Sequence, residues 1–365
     1  MEKMDICKTI SCYLIGEDKL VIQCGERLLA KNHRILGIIS SIPAIQSWAT
    51  QHSIPYFTSL VEFKTLNLEK PCDYLFSLVN YQILPPWALA LPNYCAINYH
   101  DSLLPQYAGI HSTSWALINQ EKTHGITWHV INEGLDAGDI LKQAMTPINQ
   151  DETALSLNLK CYNLAISTFS ALIDELATHA YQRTAQNLAQ RSYFGRYTKP
   201  PVNGWIDWRQ PAERIDNLCR ALQFGSTINR LATPKFAVGN EVFVIDKQAL
   251  SERLSTAEPG TIVAINSQAI RIATQTFDLD ISRCRTLDNG AYTPLELDHQ
   301  YQLKIGDKLK EMSPQEQLFL EQYGQEQSVH EAFWVHELER LNPINIPFLN
   351  PHLTKELSPD YTLFA

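Results

Sequence analysis

Short apolar runs alternate with amphipathic stretches through the first half of the chain. Ser11 to Ile15 (SCYLI), Arg34 to Ile39 (RILGII), Tyr74 to Val79 and Tyr94 to Asn98 are compact, mostly apolar runs. Pro, Asn and Asp bound them, which predicts buried strands. Lys19 to Ala30 and Ile42 to Gln51 predict helices between them. This β-α-β alternation predicts a mostly parallel sheet with helices on both faces. Ligands of such sheets gather at the carboxyl ends of the strands, where the order reverses. No G-x-G-x-x-G follows the first strand, which argues against a dinucleotide cofactor.

From Gln150 to Ala180 the period changes to that of a helix, with Leu155, Leu159, Tyr162, Ile166, Phe169, Ile173 and Leu176 expected on one face. Asp151 and Glu152 place acids where the helix dipole favours them. Leu188 to Asn203 reads as a linker ending in Lys199-Pro200-Pro201. Beyond it, a helix near Pro211 to Leu222 precedes short strands at Glu241 to Asp246, Thr261 to Ile265, Ala269 to Thr274 and Leu279 to Ser282. The turns Pro259-Gly260, Asn289-Gly290 and Gly306-Asp307 punctuate them, the pattern of a small β-barrel. The tail offers a helix at Ser328 to Leu341 and a Pro-rich stretch at Asn342 to Phe348. It leaves Phe333, Trp334, Ile344, Ile346 and Phe348 exposed unless something covers them. The expected division is residues 1–188, a linker at 189–203, a β domain at 204–310 and a tail at 311–365.

Composition narrows the function classes. With 45% hydrophobic and 19% charged residues, the chain has the make-up of a soluble globular protein. No run approaches the roughly 20 apolar residues of a membrane span, and the start lacks a secretory pattern, so a cytoplasmic location is expected. Eight cysteines occur without a C-x-x-C pair, so buried reduced thiols are expected rather than a zinc site or a disulfide scaffold. The net charge of −9 is uneven: Glu311 to Ala365 carries nine acids against Arg340 and Lys355, net −7, leaving −2 for the rest. No broad basic face for nucleic acid is in sight.

The chemistry concentrates between Ala96 and Leu141. Asn98 and His100 stand one residue apart at the end of an apolar strand, so both side chains point the same way. An amide donor and an imidazole thus sit together at the ligand edge. Ser102-Leu103-Leu104-Pro105 turns the chain, and Gly125-Ile126-Thr127 opens another strand. Glu133-Gly134-Leu135-Asp136-Ala137-Gly138-Asp139 is a glycine-bearing loop whose acids could reach the first pair. Each piece alone has a plainer reading: strand-end Asn and His residues often cap turns, and loop acids are often solvated. His111, His124 and His129 read as surface or core histidines, and no spacing of the eleven histidines makes a metal site.

Taken together, Asn98-Tyr99-His100, Ser102 to Pro105, Gly125-Ile126-Thr127 and Asp136-Ala137-Gly138 resemble the 10-formyltetrahydrofolate-dependent formyltransferase family, the methionyl-tRNA formyltransferases among them. The likeness extends more loosely over residues 10 to 310. It implies a Rossmann-like α/β domain followed by an OB-like β-barrel, with 10-formyltetrahydrofolate as co-substrate and no metal. It also implies Asn98, His100 and Asp136 as the catalytic set, and contacts to the folate from Tyr81, Gln82, Ile83 and Leu84 and from Glu133, Gly134, Leu135 and Asp136. For Ile83 and Leu84, simple core packing is an equal alternative.

The acceptor amine is less legible. Ser40 to Ile45 holds no Lys or Arg where tRNA-directed relatives carry a basic insertion. Pro200 to Lys310 balances 13 acids with 13 bases, which argues against tRNA. His330 to Pro347 resembles segments beside domains of nonribosomal peptide synthetases, and Tyr193 to Trp208 looks like their formylation domains. That likeness implies an aminoacyl group on a carrier protein's phosphopantetheine arm as acceptor, with adjacent synthetase domains as partners. Amino sugars and methionyl-tRNA remain alternative acceptors, and a docking or structural module without activity is the alternative of another class.

Overall fold

The computed structural model describes residues 8–66, 70–225 and 229–339. In chain order the first half holds β1 (Ser11–Ile15), α1 (Leu20–Ala30), β2 (Arg34–Ile39), α2 (Pro43–Gln51), β3 (Tyr56–Phe57), α3 (Leu60–Thr65) and β4 (Cys72–Leu78). There follow α4 (Pro86–Leu89), β5 (Pro92–His100), β6 (Ala108–Gly109), α5 (Ser112–Ile118), β7 (Thr123–Val130), β8 (Ile140–Pro147) and α6 (Ala154–Ala177). Seven strands form one sheet in the order β3-β2-β1-β4-β5-β7-β8. The first five are mutually parallel, while β7 runs antiparallel to β5, and β8 to β7. The sheet is therefore the mostly parallel one expected, with two antiparallel strands at one side. The order reverses beside β1 and β4, and β4 and β5 carry their carboxyl ends to a common edge.

Two apolar clusters cover the faces. One gathers Leu14, Leu28, Tyr74, Phe76, Ile97, Tyr99, Trp128 and Phe169; the other gathers Tyr13, Phe57, Phe63, Leu75 and Leu84. Helix α6 contributes to the first with only part of the face expected: Phe169, Ile173 and Leu176 are buried, and Tyr162 and Ile166 pack at the margin. Its buried stripe is Ala154, Leu157, Cys161, Ala165, Phe169, Leu172, Ile173 and Leu176, whereas Leu159 is 54% exposed. Alanine and cysteine bring the helix close enough for the Cys161 thiol to lie 3.6 Å from the Gly125 carbonyl. The helix also starts later than Gln150. Thr153 caps it with Ser156 in a reciprocal box, and Glu152 accepts the Ser156 hydroxyl at 2.5 Å. Phe169 is fully buried, with ring centroids 5.1 Å from Trp128 and 5.2 Å from Phe76. Phe169→Ala is expected to cost about 3–5 kcal/mol, measured as a lowered urea midpoint, because the sheet cannot collapse into the void.

The second half holds β9 (Tyr193–Phe194), α7 (Ala212–Leu222), β10 (Lys235–Val238), β11 (Glu241–Leu254), β12 (Ile262–Ile265), β13 (Ile270–Ile272), β14 (Phe277–Thr286), β15 (Ala291–Tyr292), α8 (Pro294–Tyr301) and α9 (Pro314–Glu339). Six strands make a small antiparallel sheet, β10-β11-β14-β13-β12 with β15 on β14, around Trp208, Phe236, Phe243, Ile262 and Leu279. Register shifts along β11 and β14 bend the long pair. Helix α7 packs on α5, where Leu222 joins Trp115 and Ala116 in a cluster that also takes in Tyr107 and Leu231. Arg220 Nη1 donates to the Glu152 carbonyl at 2.6 Å across the same boundary.

Two expectations change on this view. The segment expected as a plain linker includes β9, which pairs with β6 and stacks Phe194 between Tyr107 and Trp115. The tail helix begins at Pro314 rather than Ser328, behind a Ser313–Glu316 capping box. Phe333 and Trp334 are each 58% exposed on it. Ile344, Ile346 and Phe348 fall outside the described residues. Seven of the cysteines are described, all buried and free. Among the described residues no helix is long and apolar enough to cross a membrane.

Candidate functional site

Strand alternation puts Ile97 and Tyr99 into the core and turns Asn98 and His100 to the opposite face. Tyr99 is locked against Trp128, ring centroids 5.4 Å apart, which fixes the register of the two polar neighbours. The antiparallel pairing of β5 with β7 sets His129 opposite Asn98 and Thr127 opposite His100. The loop between β7 and β8 then returns Asp136 over this pair.

Asp136 sits in the left-handed region at φ 48°, an uncommon conformation for a residue with a side chain. Its carboxylate accepts the Gly109 backbone N–H at 2.9 Å. It lies 3.8 Å from His100 Nδ1 and 3.6 Å from His129 Nε2. Burial pushes the Asp136 carboxyl upward, but the His100 charge, the His129 hydrogen bond and the Gly109 N–H outweigh it. The group is held well below the usual carboxylate range. His100 Nε2 donates to the Tyr107 carbonyl at 2.9 Å, so that nitrogen keeps its hydrogen and Nδ1 is left facing Asp136. Asn98 Nδ2 is 3.2 Å from His129 Nε2, and His129 Nδ1 is 3.0 Å from the Val130 carbonyl. The arrangement presents an amide donor, an imidazole able to exchange a proton at Nδ1, and a carboxylate beside it. Such a set can stabilise a developing oxyanion and move one proton.

Gly109 allows the close approach this requires. It has φ 104°, and a Cβ there would meet the Phe194 carbonyl oxygen at 2.0 Å. A side chain would therefore displace β9 and withdraw the N–H that Asp136 holds.

The three candidate catalytic residues are thus brought together, and His129 joins them. Sequence reading set His129 aside because cross-strand register is invisible locally. The signal was there in part: His129 lies two residues beyond Thr127, on the same strand face. His124 is structural, its Nε2 donating to the Asp101 carbonyl at 2.7 Å, with burial pushing its pKa down.

The two candidate folate segments differ in character. Tyr81, Gln82 and Ile83 are exposed on the loop after β4, Ile83 at 80%, so core packing does not account for Ile83. Leu84 does pack into the core and could meet a ligand through its backbone alone. The Gln82 N–H is already taken by Asn80 Oδ1 at 3.0 Å. The β4–β5 pairing aligns Leu78 with Tyr99, so this loop leaves the sheet beside Asn98 and His100. Glu133, Gly134 and Leu135 are exposed just before Asp136. Among the described residues no cluster of His, Cys, Asp and Glu gathers to hold a metal.

Comparison with known proteins places this arrangement. A methionyl-tRNA formyltransferase of Legionella pneumophila is 29% identical over 277 residues, 71% of this chain and 85% of that protein. An N-formyltransferase from Helicobacter canadensis, solved with folinic acid and dTDP-3-aminofucose, superposes with a TM-score of 0.59 at 20% identity, covering 78% of this chain and 100% of that one. HypX from Aquifex aeolicus, solved with tetrahydrofolic acid, gives 0.57 at 12% identity over 84% of this chain and 51% of that one. These two likenesses carry the fold. A model of the formyl transferase family matches residues 67–173, and one of the formyl transferase C-terminal domain matches residues 200–299. With both halves matched in order, and Asn98, His100 and Asp136 inside the first match, the chain belongs to the formyl transferase family.

Proposed function

We propose that this enzyme moves the formyl group of 10-formyltetrahydrofolate to the amine of an aminoacyl group carried on a phosphopantetheine arm. The observation that carries the catalytic part is the convergence of Asn98, His100 and Asp136 within one cluster at the sheet edge.

On this reading the acceptor amine attacks the formyl carbon, and the carbonyl oxygen gains negative charge. The Asn98 amide donates to that oxygen. The amine must lose a proton as N10 of the folate gains one and the C–N10 bond breaks. His100 handles that proton at Nδ1, and Asp136, ionised beside it, stabilises the imidazole while it is charged. His129 Nε2 stands between the two, 3.2 Å from the Asn98 amide nitrogen and 3.6 Å from the Asp136 carboxylate. The exposed residues Tyr81 to Ile83 and Glu133 to Leu135 flank the cluster and suit a flat, polar-edged pterin, with Leu84 anchoring the first loop in the core. Residues 1–188 would form the catalytic unit, with 204–310 supporting it and 311–365 connecting outward.

The acceptor assignment rests on two features. The balanced charge of residues 201–310 gives phosphate-rich RNA no net attraction, and α9 displays Phe319, Phe333 and Trp334 to the exterior, as a segment adjoining another domain would. A second reading is favoured by the similar proteins, which include a methionyl-tRNA formyltransferase and an enzyme solved with an amino-sugar nucleotide. Intact-mass measurement after incubation with 10-formyltetrahydrofolate separates the two. A mass gain of one carbonyl unit on an aminoacyl carrier protein alone is expected; a gain on methionyl-tRNA or the sugar nucleotide instead would overturn the acceptor assignment.

A further inference from the structure

The segment that joins the two halves runs back across the catalytic loop. Thr184 pairs with Ile140, exchanging backbone hydrogen bonds of 2.8 and 2.9 Å. Two residues on, the Gln186 side chain reaches into the loop, and Nε2 donates to the Asp136 carbonyl at 2.9 Å and the Gly138 carbonyl at 2.7 Å. Arg191 Nη2 donates to the Leu135 carbonyl at 2.8 Å. Ser192 holds the other side of the site, its hydroxyl accepting the Tyr107 N–H at 2.8 Å and its carbonyl the Ala108 N–H at 3.0 Å. One strap of chain thus touches both backbones that present Asp136 and its Gly109 partner.

Resting on the formyl-transfer reading, we propose that Gln186 is a positioning residue for catalysis: its amide clamps the carbonyls of Asp136 and Gly138 and so fixes the Asp136 carboxylate against His100 and His129.

Three observations support the assignment. Asp136 occupies a left-handed conformation that is unfavourable for a residue with a Cβ, so contacts from outside the loop help to hold it there. Within the loop the hydrogen bonding is sparse: the Val130 N–H to the Asp139 carbonyl at 2.8 Å closes its base, and above that there are Gly134 N–H to Asn132 and a long 3.4 Å contact from Ala137 N–H to the Gly134 carbonyl. The orientation of the Gln186 amide is also settled by its partners. Two carbonyl oxygens face Nε2, whereas Oε1 is buried with no hydrogen-bond partner among the described residues. The residue is therefore used as a double donor, and its acceptor atom is idle. A glutamine with one atom engaged twice and the other orphaned is arranged for the loop, because the orphaned oxygen costs stability.

The test compares Gln186→Ala, Gln186→Glu and Gln186→Lys in the full chain. Misplacing a catalytic group by about an ångström can cost about 100-fold, and that is the expected loss in kcat for Gln186→Ala, with KM for 10-formyltetrahydrofolate nearly unchanged. Gln186→Glu keeps the shape but turns acceptors toward two carbonyls, and is expected to lose as much at neutral pH. It should recover partly as acid protonates the new carboxyl and supplies one donor. Gln186→Lys restores donors and gives up only the idle oxygen, and is expected to keep most of the wild-type kcat. Histidine ring resonances give a readout without turnover: those of His100 and His129 should shift in Gln186→Ala and Gln186→Glu. Wild-type kcat in Gln186→Ala with unmoved resonances would overturn the proposal. So would equal kcat losses in Gln186→Ala and Gln186→Lys that follow a fall in Tm, which would mark a structural role. If the wild type transfers formyl to no amine, the formyl-transfer reading fails, and the resonances alone then decide whether Gln186 positions Asp136.

Discussion

Asp136→Asn is expected to lower kcat for formyl transfer by about 10³-fold while leaving the fold and the folate affinity close to wild type. The two side chains are isosteric, so the Gly109 N–H can still find an acceptor oxygen at 2.9 Å. What disappears is the charge. His100 Nδ1 faces that charge at 3.8 Å and His129 Nε2 at 3.6 Å, and neither can share a proton with a neutral amide in the same way. Lost general acid–base assistance falls in the range of 10²–10⁴, about where this effect is placed. The same carboxylate carries a stability signature. Burial opposes its ionisation, but His100, His129 and Gly109 hold it ionised, so its folded pKa lies below its unfolded value. Its contribution is therefore fully present above about pH 4 and is lost as pH falls through the folded pKa. The Asn variant should show a shallower loss of stability in acid, measured by denaturant midpoints from neutral pH downward. A wild-type rate in Asp136→Asn would remove Asp136 from the proton path.

Asn98→Ala is expected to cost about 10²–10³-fold in kcat, the loss found when one donor to a developing oxyanion is removed. Asn98 lies on a central strand, paired with Ser77 on one side and His129 on the other, so alanine leaves the backbone ladder intact. Its amide is half-buried and touches His129 rather than the core. The expected change in Tm is accordingly small. Asn98→Asp is the sharper variant, because it keeps the shape but turns the donor into a negative charge next to Asp136. It should be no more active than the alanine variant, and raising the concentration of either substrate should not restore it. Rescue by substrate would mean that Asn98 serves binding and not the reacting oxygen.

What the sequence made legible was local. Apolar runs located β1, β2, β4 and most of β5, and the one-residue spacing of Asn98 and His100 placed both on one face, as found. What escaped depended on distant parts of the chain. His129 joins the site only because β7 pairs antiparallel to β5 with Asn98 opposite His129, and no local pattern encodes that register. The buried stripe of α6 was drawn from large residues, whereas Ala154, Cys161 and Ala165 face the sheet where space is short. Strand β8 (ILKQAMTP) alternates with polar and charged residues at the sheet edge, too weak a pattern to announce itself. The 189–203 segment looked like a spacer because its polar residues have no period; yet Arg191 within it donates to the Leu135 carbonyl 56 positions back, and Gln186 just before it reaches the Asp136 carbonyl across 50. Site chemistry was thus readable where one strand carries it, and hidden where folding assembles it.

The most direct test of the central claim follows an isotopically labelled formyl carbon from 10-formyltetrahydrofolate in the presence of an aminoacyl carrier protein, with wild type and Asp136→Asn side by side. The account requires the label in an amide on the acceptor amine, formed by the wild type and reduced to a trace in the variant. Label that stays on the folate or leaves as free formate with every amine offered would contradict it.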